Sequence, residues 1–464
     1  MLSATTAQFS RHGMPILAVA FATLVGIPMS VDAQGILYSF DGDSEDDEFG
    51  FAVSGAGDVN GDDIPDLVVG ARYDGNNGFD SGSVRVFSGA NGSILYTFDG
   101  DATNAELGTA VSDAGDVNGD AFADVIAGAP GVSGAGAARV YSGMDGSILY
   151  TFTGDSEDDG MGDSVSNAGD VNGDNVPDLI AGARFDADNG LDSGAAWVFS
   201  GADGAILHKF RGDSAGDEFG TWVSGAGDVN GDDFADLIVG APLDDNNGKD
   251  SGSARVFSGA NGAVLYTFNG GAAGDGFGYA VSDAGDVDGD NITDLIVGAP
   301  GNDNNGADSG SARVFSGADG AILYTFNGET AGDTFGAAVS GAGDMNGDNT
   351  PDLIVGAPLS QTMNGETGSA RVFSGVDGSV LFTFIGDGSF DFLGIGVSDA
   401  GDINEDGFGD VIVGISLDDN NGEDDSGSVR VFAGGVAACV DGDGDGYGAG
   451  PGCLGLDCDD GDAT

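Results

Sequence analysis

Positive charge is what this sequence lacks most. Lys and Arg number 12 among 464 residues, against 78 Asp and Glu, for a formal net charge of −66. No basic patch can form to displace phosphate counterions, so nucleic acid is excluded as a partner. An anionic membrane surface repels the chain as well. So much charge of one sign opposes compaction unless cations neutralise part of it. Histidine is nearly missing. His12 lies in the amino-terminal segment, and His208 stands where a recurring strand has Tyr96, as a packed substitute. No nucleophile–base pair recurs, and abundant Asp without a defined cleft makes no paired-carboxylate site, so no enzyme is expected. The three cysteines, Cys439, Cys453 and Cys458, cannot all pair with one another. Helical periodicity is absent throughout. Hydrophobic residues still make up 40% of the chain, enough for a sizeable core.

Only one long apolar run occurs, Pro15 to Met29. Arg11 and His12 precede it, and Val31-Asp32-Ala33 follows with the small-residue pattern of a cleavage site. Residues 1–33 read as a secretory signal, with Gln34 as the new amino terminus. An uncleaved anchor is the other reading, but the run is short for a spanning helix and contains Pro28. The mature chain is expected to have no membrane span and to be secreted or held at the cell surface.

What the sequence does have is one unit repeated seven times. An acidic nonapeptide, DVNGDDIPD at Asp58, recurs at Asp116, Asp170, Asp228, Asp286, Asp344 and Asp402. Each unit runs in one order: F-G-x-x-V-S, the nonapeptide, D-L-I-V-G-A, G-S-A-R-V-F-S-G, then I-L-Y-T-F. Short β-branched and aromatic stretches between Gly, Asn and Asp are strands and turns, about four strands per unit. Four strands in a unit of this length mean a propeller blade. The seventh unit stops after Val429–Phe432 without its I-L-Y-T-F strand, whereas Ile36–Phe40 supplies a spare one before the first unit. The expectation is an all-β fold, a seven-bladed propeller over residues 34–434, closed by its amino-terminal strand so that no sheet edge stays open. A solenoid is the alternative, but it leaves the missing strand unexplained.

Positions 1, 3, 5 and 9 of each nonapeptide carry side-chain oxygens. They are Asp58, Asn60, Asp62 and Asp66; Asp116, Asn118, Asp120 and Asp124; Asp170, Asn172, Asp174 and Asp178; and Asp228, Asn230, Asp232 and Asp236. The last three units give Asp286, Asp288, Asp290 and Asp294; Asp344, Asn346, Asp348 and Asp352; and Asp402, Asn404, Asp406 and Asp410. Alternate positions in a tight loop aim oxygens at one centre, and position 7 can add a carbonyl. Oxygen-only ligands suit Ca2+, about seven ions in the propeller. The lack of His and Cys argues against zinc or copper. A helix–loop–helix calcium hand is excluded, because position 12, where it needs Glu, is Val69 or its equivalent inside an apolar strand. An Asp/Asn-rich turn without metal is the competing reading for one loop; seven copies of the same four positions disfavour it. The seventh loop has Glu405 where the others have Gly.

These units resemble FG-GAP repeats, the units of the integrin alpha-subunit propeller. Phe49-Gly50, Phe219-Gly220, Phe277-Gly278 and Phe335-Gly336 carry the first half of the motif, and Gly240-Ala241-Pro242, Gly298-Ala299-Pro300 and Gly356-Ala357-Pro358 the second. Met161 and Leu393 stand in for Phe, and Arg72, Arg184 and Ser416 for Pro. The resemblance implies a seven-bladed propeller with calcium in blade hairpins, serving adhesion or recognition of an extracellular protein or glycan ligand. A calcium-dependent polysaccharide-processing enzyme and a structural matrix component are the alternatives. The turns between strands two and three, such as the one holding Asp74, Asn77 and Asp80, lie opposite the calcium loops; they read either as solvated turns or as an acidic recognition surface broken by a notch at unit two. Arg211-Gly212-Asp213 spells an adhesion tripeptide, but its register matches Asp99-Gly100-Asp101, so it is a repeat feature.

Residues 435–464 form a different, Cys-containing acidic segment. Asp441, Asp443 and Asp445 alternate, and Asp457, Asp459 and Asp460 follow. This tail resembles one partial calcium-binding repeat of thrombospondin type 3, which implies one or more further Ca2+; a disordered acidic tail is the alternative. The chain stops inside the motif, so a truncated carboxyl terminus is expected.

Overall fold

The structure, a computed structural model, describes residues 35–435 except 363, 364, 420, 421, 423 and 424. The expected targeting segment 1–33 and the tail positions Asp441, Asp443 and Asp445 lie outside the described residues.

Seven four-stranded antiparallel sheets make up the fold, one per repeat. Blade 1 consists of Phe49–Gly57, Asp66–Ala71, Ser83–Phe87 and Ile94–Asp99, in that order from strand one to strand four. Blade 7 consists of Leu393–Gly401, Asp410–Ile415 and Ser428–Phe432, and its fourth strand is Ile36–Asp41. Tyr38 lies opposite Val431, Ser39 opposite Arg430 and Phe40 opposite Val429. The expected closure is present. A single parallel bridge also links each blade to the next, from Gly82↔Leu107 round to Phe49↔Gly427, so seven equivalent bridges complete the ring.

Burial follows the repeat. Strand two is buried on both faces, which is why it reads D-L-I-V-G-A without polar alternation. Strand four is half-exposed, with Ile36, Ile94, Ile148, Ile206, Val264, Ile322 and Val380 on the outer rim. Between blades, the Phe of strand four stacks on the last aromatic of the neighbour's strand three. The seven stacks run from Phe40–Phe87 at 4.1 Å to Phe384–Phe432 at 3.9 Å between ring centroids. Such pairs contribute about 0.5–1.5 kcal/mol each beyond area burial. Two glycines of the repeat meet at the same interface. A Cβ on Gly70 would sit 2.0 Å from the carbonyl oxygen of Gly108 in the next blade, and Gly414 stands likewise 1.9 Å from that of Gly50. Both motif glycines are therefore demanded by the distance between blades.

The fourth-strand Tyr hydroxyls donate across blades, Tyr96 to the Gly143 carbonyl at 2.8 Å. His208 puts its Nε2 2.7 Å from the Gly259 carbonyl in the same way, so it is the packed substitute the repeat suggests. Strand one of every blade is innermost and faces the axis, where Ser54, Ser112, Ser166, Ser224, Ser282, Ser340 and Ser398 line a central channel.

Candidate metal centres

Each nonapeptide joins strands one and two at one end of the propeller. The loop is built by its own first carboxylate. Asp58 Oδ1 accepts from the Gly61 and Asp62 amides at 2.6 and 3.0 Å, and Oδ2 from the Asp63 amide at 2.8 Å. Position 5 acts similarly, with Asp62 Oδ1 accepting from the Ile64 amide at 3.0 Å. The same bonds recur around Asp170, Asp228, Asp286 and Asp344. Curling the chain round one carboxylate needs left-handed backbone at positions 4 and 6, Gly61 at φ 77° and Asp63 at φ 67°. Blade 7 exchanges the two residue types. Glu405 takes the left-handed conformation at position 4, φ 57°, and Gly407 follows at position 6.

Position 9 is placed differently. Asp66 is fully buried as the first residue of strand two. Its Oδ2 accepts from the Val59 and Asn60 amides at 2.9 and 3.1 Å, and its Oδ1 from the Gly89 amide in the turn between strands three and four at 3.0 Å. The Asn60 amide group donates to it at 3.0 Å, which keeps position 3 beside position 9. Burial pushes the pKa of this carboxyl up, to about 6 in Asp66, Asp124, Asp178, Asp236, Asp294 and Asp410 and to about 7 in Asp352, against the opposing pull of the amide donors. In blade 5, where position 3 is also acidic, ligand oxygens of Asp286, Asp288 and Asp290 lie within 4.8 Å of one another. Three convergent, solvent-facing oxygens from positions 1, 3 and 5 over a buried carboxylate at position 9 form an all-oxygen donor set, which fits a hard cation such as calcium.

Three acidic trios at the opposite end escaped the sequence reading. Asp43, Asp47 and Asp74 cluster within 4.8 Å, as do Asp155, Asp159 and Asp186, and Asp387, Asp391 and Asp418. Each joins the link entering a blade to that blade's turn between strands two and three. A cationic side chain of the same blade is already on them. Arg85 is 2.7 Å from Asp43 and 3.8 Å from Asp74, and Arg430 is 2.9 Å from Asp387. The signal was a D-x-x-x-D ending two residues before the F-G position, a spacing that Asp213 and Asp217 of blade 4 share.

These contacts remove Asp74 from the expected recognition surface. Asp74 is buried, and it accepts from the Asn76 amide at 2.9 Å, Asn76 Nδ2 at 3.0 Å and Ser83 Oγ at 2.6 Å. Asn77 donates inward to the Gly100 carbonyl at 3.1 Å. Asp244 and Asn247 repeat the arrangement in blade 4. The recurring spacing of these turn residues turns Asp74 and Asp244 inward to close the turn, while Asn77 and Asn247 remain exposed. The adhesion tripeptide is spent too. Asp213 pairs with Arg255 at 2.7 Å and Arg211 with Asp188 at 2.8 Å.

The repeating contact of F-G against G-A across each blade interface matches a known unit. The FG-GAP repeat matches residues 49–87, 109–141, 219–257, 277–315 and 335–373. The propeller is integrin-like. Integrin alpha-V of Gallus gallus is 28% identical over 229 residues, 43% of this chain and 20% of the relative. Integrin alpha-5 of Xenopus laevis is 30% identical over 217 residues, 42% of this chain and 20% of the relative. Integrin alpha-2 of Bos taurus is 33% identical over 167 residues, 33% of this chain and 14% of the relative. The chain thus spans about a fifth or less of the length of these curated relatives. Blades 3 and 7, outside the FG-GAP matches, have Met161 and Leu393 for the motif Phe, as blade 2 has Leu107, yet all three keep the same four-stranded sheet. Among the described residues no helix is long and apolar enough to cross a membrane.

Proposed function

We propose that this FG-GAP propeller is a secreted, calcium-binding module for adhesion or ligand recognition, with an extracellular protein or glycan as partner. The observation that carries the reading is the same oxygen-donor loop at the same end of all seven blades, on an integrin-like scaffold. Asp58, Asn60, Asp62 and Asp66, with their six sets of equivalents, are the proposed ligands. Calcium there offsets carboxylate repulsion and fixes the loops, leaving the other end free to meet a partner on rigid supports. The tail at Asp441, Asp443 and Asp445 is proposed as a further calcium site. The test is calorimetric titration of chelator-stripped full chain with calcium, followed by capture on arrayed glycans and cell surfaces with and without it. Saturable uptake approaching seven ions, with capture that needs calcium, supports the reading; no uptake ends it.

A further inference from the structure

Seven near-identical blades make the positions where they differ informative, because what all share builds the scaffold. The differences converge at one place, the mouth of the axial channel at the end away from the nonapeptides. The residue after F-G is Phe51, Thr109, Asp163, Thr221, Tyr279, Ala337 or Ile395, and the residue after G-A is Arg in blades 1 and 3 only. Here the channel holds a cavity of about 390 Å³. That volume falls within the range of about 300–1,000 Å³ usual for small-ligand pockets.

Blades 1, 3 and 4 contribute the charged groups Arg72, Asp163, Arg184 and Glu218 to the mouth, and Trp222, Leu243, Tyr279 and Ile395 give it an aromatic and aliphatic wall. Both arginines are already paired. Arg72 donates to Glu48 at 2.7 Å with its guanidinium 3.5 Å from the Phe51 ring centroid. Arg184 Nε lies 3.2 Å from Asp163 Oδ2 and its guanidinium stacks on Phe185. That contact is an ion pair without hydrogen-bond alignment, so both buried atoms keep unused bonding capacity. A cationic ligand would have to displace Arg184 to reach Asp163, and would find Glu106 and Glu218 half-buried, where burial already disfavours their charged forms. An anionic ligand would meet Glu106 and Glu218, whose charges bear on Asp163 and help burial push that carboxyl up to about 6. A neutral ligand with hydroxyls faces neither cost, since a hydroxyl donates to carboxylate and accepts from guanidinium at once.

We propose that the channel mouth is a saccharide site, taking the end of a neutral glycan with one ring face on Trp222 and Tyr279 and its hydroxyls on Asp163, Arg184 and Glu218. Every blade contributes to the wall, so the ligand enters along the axis, which selects a chain end over an internal stretch. The inference rests on the recognition function proposed above and gives it a site.

The two tryptophans of the chain are Trp197 and Trp222, so a Trp197→Phe chain reports the mouth alone by its emission. Calcium-loaded full chain is titrated with short linear gluco-, galacto-, manno- and xylo-oligosaccharides, a cyclodextrin as an endless control, and hexa-arginine. The expected result is a saturable emission change with a linear saccharide and none with the cyclic one, weakened about tenfold or more by Tyr279→Ala and by Asp163→Asn. Tyr279 is exposed, so its truncation leaves the fold intact, which the melting temperature checks. No response to any linear saccharide, unchanged affinity in both variants, or a response to hexa-arginine in place of sugar each overturns the site. Calcium-dependent capture on cell surfaces that survives Tyr279→Ala overturns the site while sparing the recognition function; absence of capture under all conditions overturns the function itself.

Discussion

Trp197 and Lys209 stand opposite each other across strands three and four of blade 3, in the register where five blades pair Arg with Thr and blade 7 pairs Arg430 with Ser39. The cation has moved one strand over. Lys209 Nζ lies 4.2 Å from the Trp197 ring and reaches Asp155, Asp186 and Asp188 at 3.0, 2.9 and 2.8 Å. It does for this trio what Arg85 does for Asp43 and Asp74. The cost is visible at the Trp197 indole nitrogen, which is buried without a hydrogen-bond partner.

Lys209→Thr should therefore destabilise by about 2 kcal/mol, the buried-pair figure reduced because Asp155 and Asp188 are half-exposed. Adding Trp197→Arg should restore most of that loss. A denaturant double-mutant cycle measures it, and strict additivity would show the two positions to be independent.

Deleting residues 35–41 removes the fourth strand of blade 7 and strips Phe87 of its stacking partner Phe40. The edge of Ser428–Phe432 is left open. The melting temperature should fall steeply, and aggregation should increase through the bared edge. A deletion that melts with the full chain would mean the closing strand is dispensable.

Chelator at low salt should lower the melting temperature strongly. At tenfold over its dissociation constant each site adds about 1.4 kcal/mol, or about 10 kcal/mol for seven independent sites. Asp290→Ala should cost only its own site's share, read as a smaller shift by calorimetry.

Asp47 and Asp391 occupy equivalent positions in blades 1 and 7. Burial, with the neighbouring Asp74 and Asp418 charges, raises their pKa to about 7 and about 6. A carboxyl whose folded pKa exceeds its unfolded one binds more protons when folded, so stability falls as pH rises between the two values. At saturating calcium the protein should melt higher at pH 5.5 than at pH 8. Asp47→Asn with Asp391→Asn should raise the melting temperature at pH 8 and flatten the slope. An unchanged slope would place the pH dependence elsewhere.

The blade count, the strand boundaries and the closing strand were legible because each depends on local chemistry repeated in phase. Ile36–Phe40 looks like Ile94–Phe98 and pairs like it. The nonapeptides were legible for the same reason, as all their members lie within nine residues. The trios were not, because Asp43, Asp74 and Arg85 come from three segments and meet only in the folded blade. Asp74 shows the converse error. An acidic residue in a surface turn reads as exposed, yet it folds inward to hold Ser83 and Asn76. The channel mouth was hidden because one residue from each blade makes no pattern along the chain.

The closing strand has a consequence for the order of events during synthesis. Ile36–Asp41 is the first strand of the fold to be made and the last to find its place, since its partner Ser428–Phe432 lies almost four hundred residues downstream. Six blades can each form from adjacent segments as they emerge. The seventh waits for the whole chain. Its sheet and its interface with blade 1 are contact sets of very high sequence separation, the kind that slows folding and leaves edges open meanwhile. The ring therefore acts as a check on completeness: a chain interrupted anywhere before Phe432 keeps an unpaired amino-terminal strand and an unfinished seventh blade.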